Sequence, residues 1–304
     1  MKKVFPFLAL AFIAVGACGE WQEPTNLGPV VNSVYNDWYP VIPEDGSYMI
    51  FVSDRPDGYG SYDLWISYNV GGEWQAPQNL GAEVNTAGIE SAPFLTEEDT
   101  TLYFVSSGPG GYGSMDIWTC PLTDGVPGTK TNIGPEINTG AHECCPAITT
   151  DGQTLYICSD RVGSLGQMDV WVSEKSGGTW GEPYNMGSVI NTSQTDCPRW
   201  LSDDGNTLVL TTGRAGGYGL TDLWYAVRSG EDWNEPVNLG PEVNSYTYEL
   251  GPGFYCDHGD MGGVIYFGSG RGGGEGGWDI WMSVDSDYAN VEPSSMGSLK
   301  ALMR

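Results

Sequence analysis

Five acidic residues recur at one spacing: Asp37, Glu90, Glu143, Asp196 and Glu249 stand 53 residues apart throughout. Equal spacing in a repeat brings side chains to equivalent places, so these carboxylates are expected to form a ring. If neighbours stand ~10 Å apart, each pair repels by ~0.4 kcal/mol in water and ~1.7 kcal/mol at an effective dielectric of about 20. Two chemistries offset that repulsion. One is internal: Arg55, Arg161, Arg214 and Arg271 follow four of the acids in equivalent places, and these four are half of the eight Lys and Arg residues between 19 and 284. Carboxylate–arginine pairs built into the fold account for such a pattern, bidentate where geometry permits. The other is a cation or polar ligand held by the ring. Gly108 stands where the second unit's arginine would be, so Glu90 is the acid expected to be left for it.

Aromatic residues accompany the acids. Trp38 follows Asp37, and Tyr59, Tyr112 and Tyr218 sit in Gly-Tyr-Gly loops after the arginine position, with Tyr35, Tyr246 and Trp278 near by in the repeat. Rings mixed with carboxylates suit a sugar site, and burial at an interface explains them equally well. The run Gly108-Pro109-Gly110-Gly111-Tyr112-Gly113 imitates a nucleotide loop, but no helix follows to cradle a phosphate. The only histidines are His142 and His258, and only Cys144 or Cys145 beside His142 approaches a nucleophile–base pair. No CxxC spacing marks a zinc site, so the metal is unknown; no organic cofactor is expected, and calcium is the kind of ion the acids could take.

The elements that position these residues are legible from the same period. Trp21-Gln22-Glu23-Pro24-Thr25-Asn26-Leu27-Gly28 has near-copies starting at Trp74, Trp180 and Trp233 and a degenerate one at Thr131. Asparagines fall at 26, 79, 132, 185 and 238, and again at 32, 85, 138, 191 and 244. Each unit offers four strand-like runs, in the first unit 39–42, 48–53, 62–67 and 74–80, with tight-hairpin pairs at Asp45-Gly46, Asp151-Gly152 and Asp204-Gly205. Five such units predict an all-β, five-bladed β-propeller with four antiparallel strands per blade. The first copy has no unit before it and the last unit lacks a fourth run after it. The N-terminal strand is therefore expected to complete the last blade and close the ring.

Strand direction gathers the loops entering strand one and leaving strand two on one face, here called upper, and the short hairpins on the lower. An Asp-x-Trp motif recurs at Asp63/Trp65, Asp116/Trp118, Asp169/Trp171, Asp222/Trp224 and Asp279/Trp281, the last interval lengthened by a hairpin around Cys256–Asp260. Its tryptophans are expected between blades and its aspartates on turn amides. The run 45–55 with Tyr62-Asp63-Leu64-Trp65 resembles the TolB-type, WD40-like (PD40) β-propeller repeat over about residues 21–284. That resemblance implies an envelope location and leaves activity open. Other five-bladed propellers are sugar-cleaving enzymes with carboxylates at the start of inner strands, which implies Asp37, Glu143 and Asp196 for a hydrolase.

Composition sets the setting. Lys2 and Lys3 precede an apolar run too short to span a bilayer, and Val15-Gly16-Ala17-Cys18 resembles a bacterial lipobox, with Cys18 the lipidated residue. The division is thus signal and lipobox at 1–18, propeller at 19–284 and tail at 285–304. Export to the cell envelope is expected, lipid-anchored to the outer membrane. Cleavage before Cys18 removes two of the 12 basic and none of the 39 acidic residues, leaving a formal charge of −29. That charge argues against nucleic acid or an anionic lipid surface as partner. An envelope protein or a glycan is expected instead, with the membrane met only through the lipid anchor. Six further cysteines are permitted disulfides in that compartment, and Cys144 and Cys197, one period apart in neighbouring repeats, are a candidate pair.

Overall fold

The computed structural model describes residues 20–96, 100–255 and 263–286; the expected signal segment, Cys18, the tail beyond 286 and the expected hairpin at Cys256 and His258 lie outside the described residues. Five antiparallel sheets form a five-bladed propeller. The inner strands are Asp37–Val41, Glu90–Leu95, Glu143–Ile148, Asp196–Leu201 and Glu249–Tyr255. Second strands such as Tyr48–Ser53 and third strands such as Asp63–Val70 follow, with register held for six residue pairs. The fourth strand is split, as in Glu73–Trp74 and Gln78–Asn79, both pairing the third strand. Pro77 lies in the gap, where the edge of the sheet tolerates a residue without an N–H.

Middle strands are buried on both sides, and the two-residue period assigns each side to a neighbour. In the first blade Ile50, Val52, Leu64 and Ile66 pack on Leu102, Phe104 and Trp118 of the second. Met49, Phe51 and Trp65 face Val264, Tyr266 and Ile280 of the last. The Asp-x-Trp tryptophans thus sit between blades.

The ring closes as the repeat demands. Thr25 and Asn26 pair with Met282 and Trp281, and Trp21 bridges Asp285. Gln22 N–H donates to Val284 O at 2.9 Å and Leu27 N–H to Ile280 O at 3.1 Å. Asn32, nearly fully buried, acts as a short stretch of strand: its amide accepts from Ile280 N–H at 2.8 Å and donates to Ile280 O at 3.0 Å. Asn85, Asn138, Asn191 and Asn244 make the same pair of bonds to Leu64, Ile117, Val170 and Leu223 inside the chain. The seam is therefore built like every other junction. No helix among the described residues is long and apolar enough to cross a membrane.

Candidate functional site

Each of the five acids opens an inner strand, and each is wholly buried. Asp37, Glu90, Glu143, Asp196 and Glu249 do not line an open mouth; their oxygens turn back to donors of their own blade. Glu143 shows the pattern: Oε2 accepts from Thr139 N–H at 2.8 Å, and Oε1 from Thr139 Oγ1 at 2.6 Å, Ser159 Oγ at 3.2 Å and Arg161 Nη2 at 3.1 Å. Asp196 is held likewise by Thr192, Thr212 and Arg214, Glu249 by Ser245, Ser269 and Arg271, and Asp37 by Ser33 and Arg55. The sequence carries the reason twice over. Hydroxyls stand four residues before every acid (Ser33, Thr86, Thr139, Thr192, Ser245) and end every second strand (Ser53, Ser106, Ser159, Thr212, Ser269), both as periodic as the acids.

The four arginines tie this network to the interblade seam. Each Nη2 also donates to a backbone carbonyl, of Val31, Ile137, Ile190 or Val243, and each guanidinium lies over its blade's Asp-x-Trp ring at 5.3–5.5 Å. Burial pulls the Arg161 and Arg271 guanidinium groups down, against the carboxylates beside them.

Glu90 departs from what Gly108 suggests. Lys130, from the split outer strand, takes the arginine's place: Nζ donates to Val84 O at 2.7 Å, the carbonyl equivalent to Ile137 O, and lies 5.7 Å from the Trp118 ring. Burial pulls the Lys130 ammonium down while Glu90 holds it up. Lys130 and Glu90 form no direct ion pair, and Glu90 accepts from Thr86 N–H, Thr86 Oγ1 and Ser106 Oγ. The correction has a simple cause: a lysine from another strand reaches the space that Gly108 vacates.

Around the central channel the blades cease to be equivalent. Every inner strand carries a bulge just after its first residues, and in four blades the bulged residue has positive φ: Tyr39 (54°), Ala92 (45°), Cys145 (53°) and Gly251 (44°). The fourth blade has Pro198, which cannot take that conformation, and its extra residue is Arg199. These side chains close the channel to a void of about 10 Å³, room for roughly one water molecule. Arg199 Nη2 donates to Tyr39 Oη at 2.8 Å, and its guanidinium stacks 4.2 Å from the Tyr39 ring. Burial raises the Tyr39 phenol and the Cys158 thiol, the hydrogen bond with Cys145 pushes Cys144 up, and Cys145 is held well down, against its burial, by the bonds it shares with the other sulfurs and by Arg199.

The upper face carries the aromatic residues. Tyr59, Tyr112 and Tyr218 are 54%, 53% and 52% exposed. Each tyrosine is presented by the Asp-x-Trp aspartate, which accepts from its N–H at 2.5–2.6 Å. A Cβ at Gly58, Gly111 or Gly217 would come within about 2 Å of that carboxylate, so glycine precedes each tyrosine for steric reasons. Leu165 takes the place in the third blade. Trp38 is half-buried, 4.9 Å from Tyr62 and 5.4 Å from Trp278, which stacks on Tyr248. A hollow of ≈630 Å³ lies beside Arg161 and the Thr139–Ala141 loop, with Glu136 and Glu182 on its rim. His142 is exposed, its N–H bound to Asp160, and no contact joins it to Cys144 or Cys145.

Ring, seam and loops together define a five-bladed β-propeller closed by its own first strand. No protein-family model and no curated protein sequence matches the chain. Among solved structures it is similar to TolB from Acinetobacter baumannii (13% identity, TM-score 0.50, covering 81% of this chain and 54% of that one), so it spans about half of that protein. It is also similar to a GH62 hydrolase in complex with xylotriose (11%, TM-score 0.55, 87% and 98% covered). An endo-arabinase from Bacteroides thetaiotaomicron gives 13%, TM-score 0.53, and 86% and 97% covered. At such identities the likeness is one of fold, shared by a TolB propeller and by sugar hydrolases alike.

Proposed function

We propose that this chain is an exported, lipid-anchored envelope protein whose propeller is a non-catalytic binding or scaffold module. Its partner, an envelope protein or a glycan, docks on the upper face. The observation that carries this reading is the repeated presentation of exposed Tyr59, Tyr112 and Tyr218 on loops pinned from below, beside the Trp38–Trp278–Tyr248 cluster. Aromatic rings held rigidly lose little entropy on binding and present large apolar area with a polar tip.

Charge narrows the partner. All eight described Lys and Arg residues lie over aromatic rings and none is exposed, while acids such as Glu83, Glu136, Glu182 and Glu242 are exposed. The outward field is therefore negative, suited to a neutral sugar or a basic protein segment.

A glycoside hydrolase needs two free carboxylates with different environments. Asp37, Glu143 and Asp196 are instead buried, alike, and occupied by hydroxyl, amide and arginine donors, which supports binding over hydrolysis. The test is capture of envelope proteins and glycans by the wild type and by Tyr59→Ala/Tyr218→Ala. Loss of capture at unchanged thermal stability is expected. Cleavage of an arabino- or xylo-oligosaccharide, abolished in a folded Glu143→Gln protein, would overturn the reading.

A further inference from the structure

Four of the five described cysteines meet at one place beside the channel. The Sγ atoms of Cys144, Cys158 and Cys197 all lie within 4.8 Å of one another, and Cys145 Sγ is 3.5 Å from Cys144 Sγ. We propose that this cluster is a thiolate site for one thiophilic d10 metal ion of the zinc class.

Three features of the backbone assemble it. Cys144 and Cys158 are direct partners across the inner and second strands of the third blade, so their side chains share a face. Cys197 occupies the place in the fourth blade that Cys144 occupies in the third, which brings it in from the neighbouring sheet. Cys145 would point to the opposite face of a regular strand, but its left-handed conformation at the bulge turns its sulfur towards Cys144. Convergence is thus produced by blade equivalence and a bulge, with no CxxC spacing.

The distances suit an ion better than a single covalent pair. Zinc–sulfur bonds of about 2.3 Å in a tetrahedron place the sulfurs roughly 3.8 Å apart, and the sulfurs of Cys144, Cys158 and Cys197 all lie within 4.8 Å of one another. All the described cysteines are free. The charge also fits. A divalent ion with the three mutually close thiolates carries one net negative charge, and Arg199 stands against the cluster without a carboxylate ion pair among the described residues. Its guanidinium would offset part of that charge in the outer shell. Cys144 is the half-buried member and marks the side from which an ion enters. On binding, each ligating thiol gives up its proton to solvent and a metal–sulfur bond forms, with no change of oxidation state. The ion would pin the third blade to the fourth.

The experiment uses the exported protein, isolated without added metal, assayed for bound zinc and for free thiols, then reduced, stripped and titrated with Cd(II). Saturation of the thiolate-to-cadmium charge-transfer band at one ion per chain, with a rise in melting temperature, is expected. Cys158→Ser and Cys197→Ser are expected to weaken binding by more than about 100-fold, and Arg199→Met by about 10-fold, the scale of an outer-shell partner. Cys120→Ser, outside the cluster, leaves the titration unchanged. Should a cysteine variant fail to fold, the wild-type titration decides alone. Disulfides among these four cysteines in the isolated protein, or cadmium binding without a stoichiometric end point, would overturn the proposal.

Discussion

Glu143→Gln separates a carboxylate that serves the fold from one that serves chemistry. The substitution keeps the shape, removes the charge that faces Arg161 and sets an amide N–H₂ against either the Thr139 N–H or the guanidinium. Breaking a buried ion pair by altering one partner costs ~3–5 kcal/mol. The lower end applies here because Arg161 is 11% exposed, keeps its 2.6 Å bond to Ile137 O and keeps the Trp171 face. About 3 kcal/mol corresponds to a fall in melting temperature of roughly 6–12 °C for a domain of this size. Urea and thermal unfolding of Glu143→Gln, Arg161→Met and the double variant would measure it, with a coupling of about 1–3 kcal/mol expected. An unchanged melting temperature in Glu143→Gln, with partner binding or turnover lost, would refute the structural role of the ring.

Further consequences follow from the same geometry. Lys130→Met is expected to cost about 1 kcal/mol in urea unfolding by stranding Val84 O, and Lys130→Arg to restore most of it. Asn32→Ala leaves the Ile280 N–H without its partner, while Ile280 O keeps the Leu27 N–H, and is expected to cost roughly 1–3 kcal/mol. Asn138→Ala, which strands Ile117 in the same way, should cost the same within error if the seam is an ordinary junction. Gly113→Ala brings a Cβ to 2.4–2.5 Å from the carbonyls of Ala141 and Thr139 and should lower the melting temperature. Gly140→Ala, with nothing within 4 Å, should be neutral or stabilise by about 0.4–1 kcal/mol.

Which features the sequence discloses follows from what a period can report. An unbroken 53-residue interval fixes the blades, and an orphan first copy fixes the closure, because both are statements about equivalence. The same interval showed the acids converging, but not their depth, which is decided by Thr139 and Ser159 and their counterparts. It could not place Lys130, which reaches Val84 from a different strand than the arginines do. Nor could strand alternation foresee Cys145 beside Cys144, since a bulge reverses the facing of the residues around it. Departures from equivalence, at Pro198, Arg199 and Tyr39, are where the channel acquires its own character.

Amide hydrogen exchange in the first described segment tests the closed ring most directly. The Gln22 and Leu27 N–H groups, bonded to Val284 and Ile280, should be protected as strongly as their equivalents: Gln75 and Asn234, bonded to Tyr68 and Val227, and Leu80 and Leu239, bonded to Leu64 and Leu223. Exchange at residues 21–28 near the unprotected rate, with Leu80 and Leu239 still protected, would contradict the account.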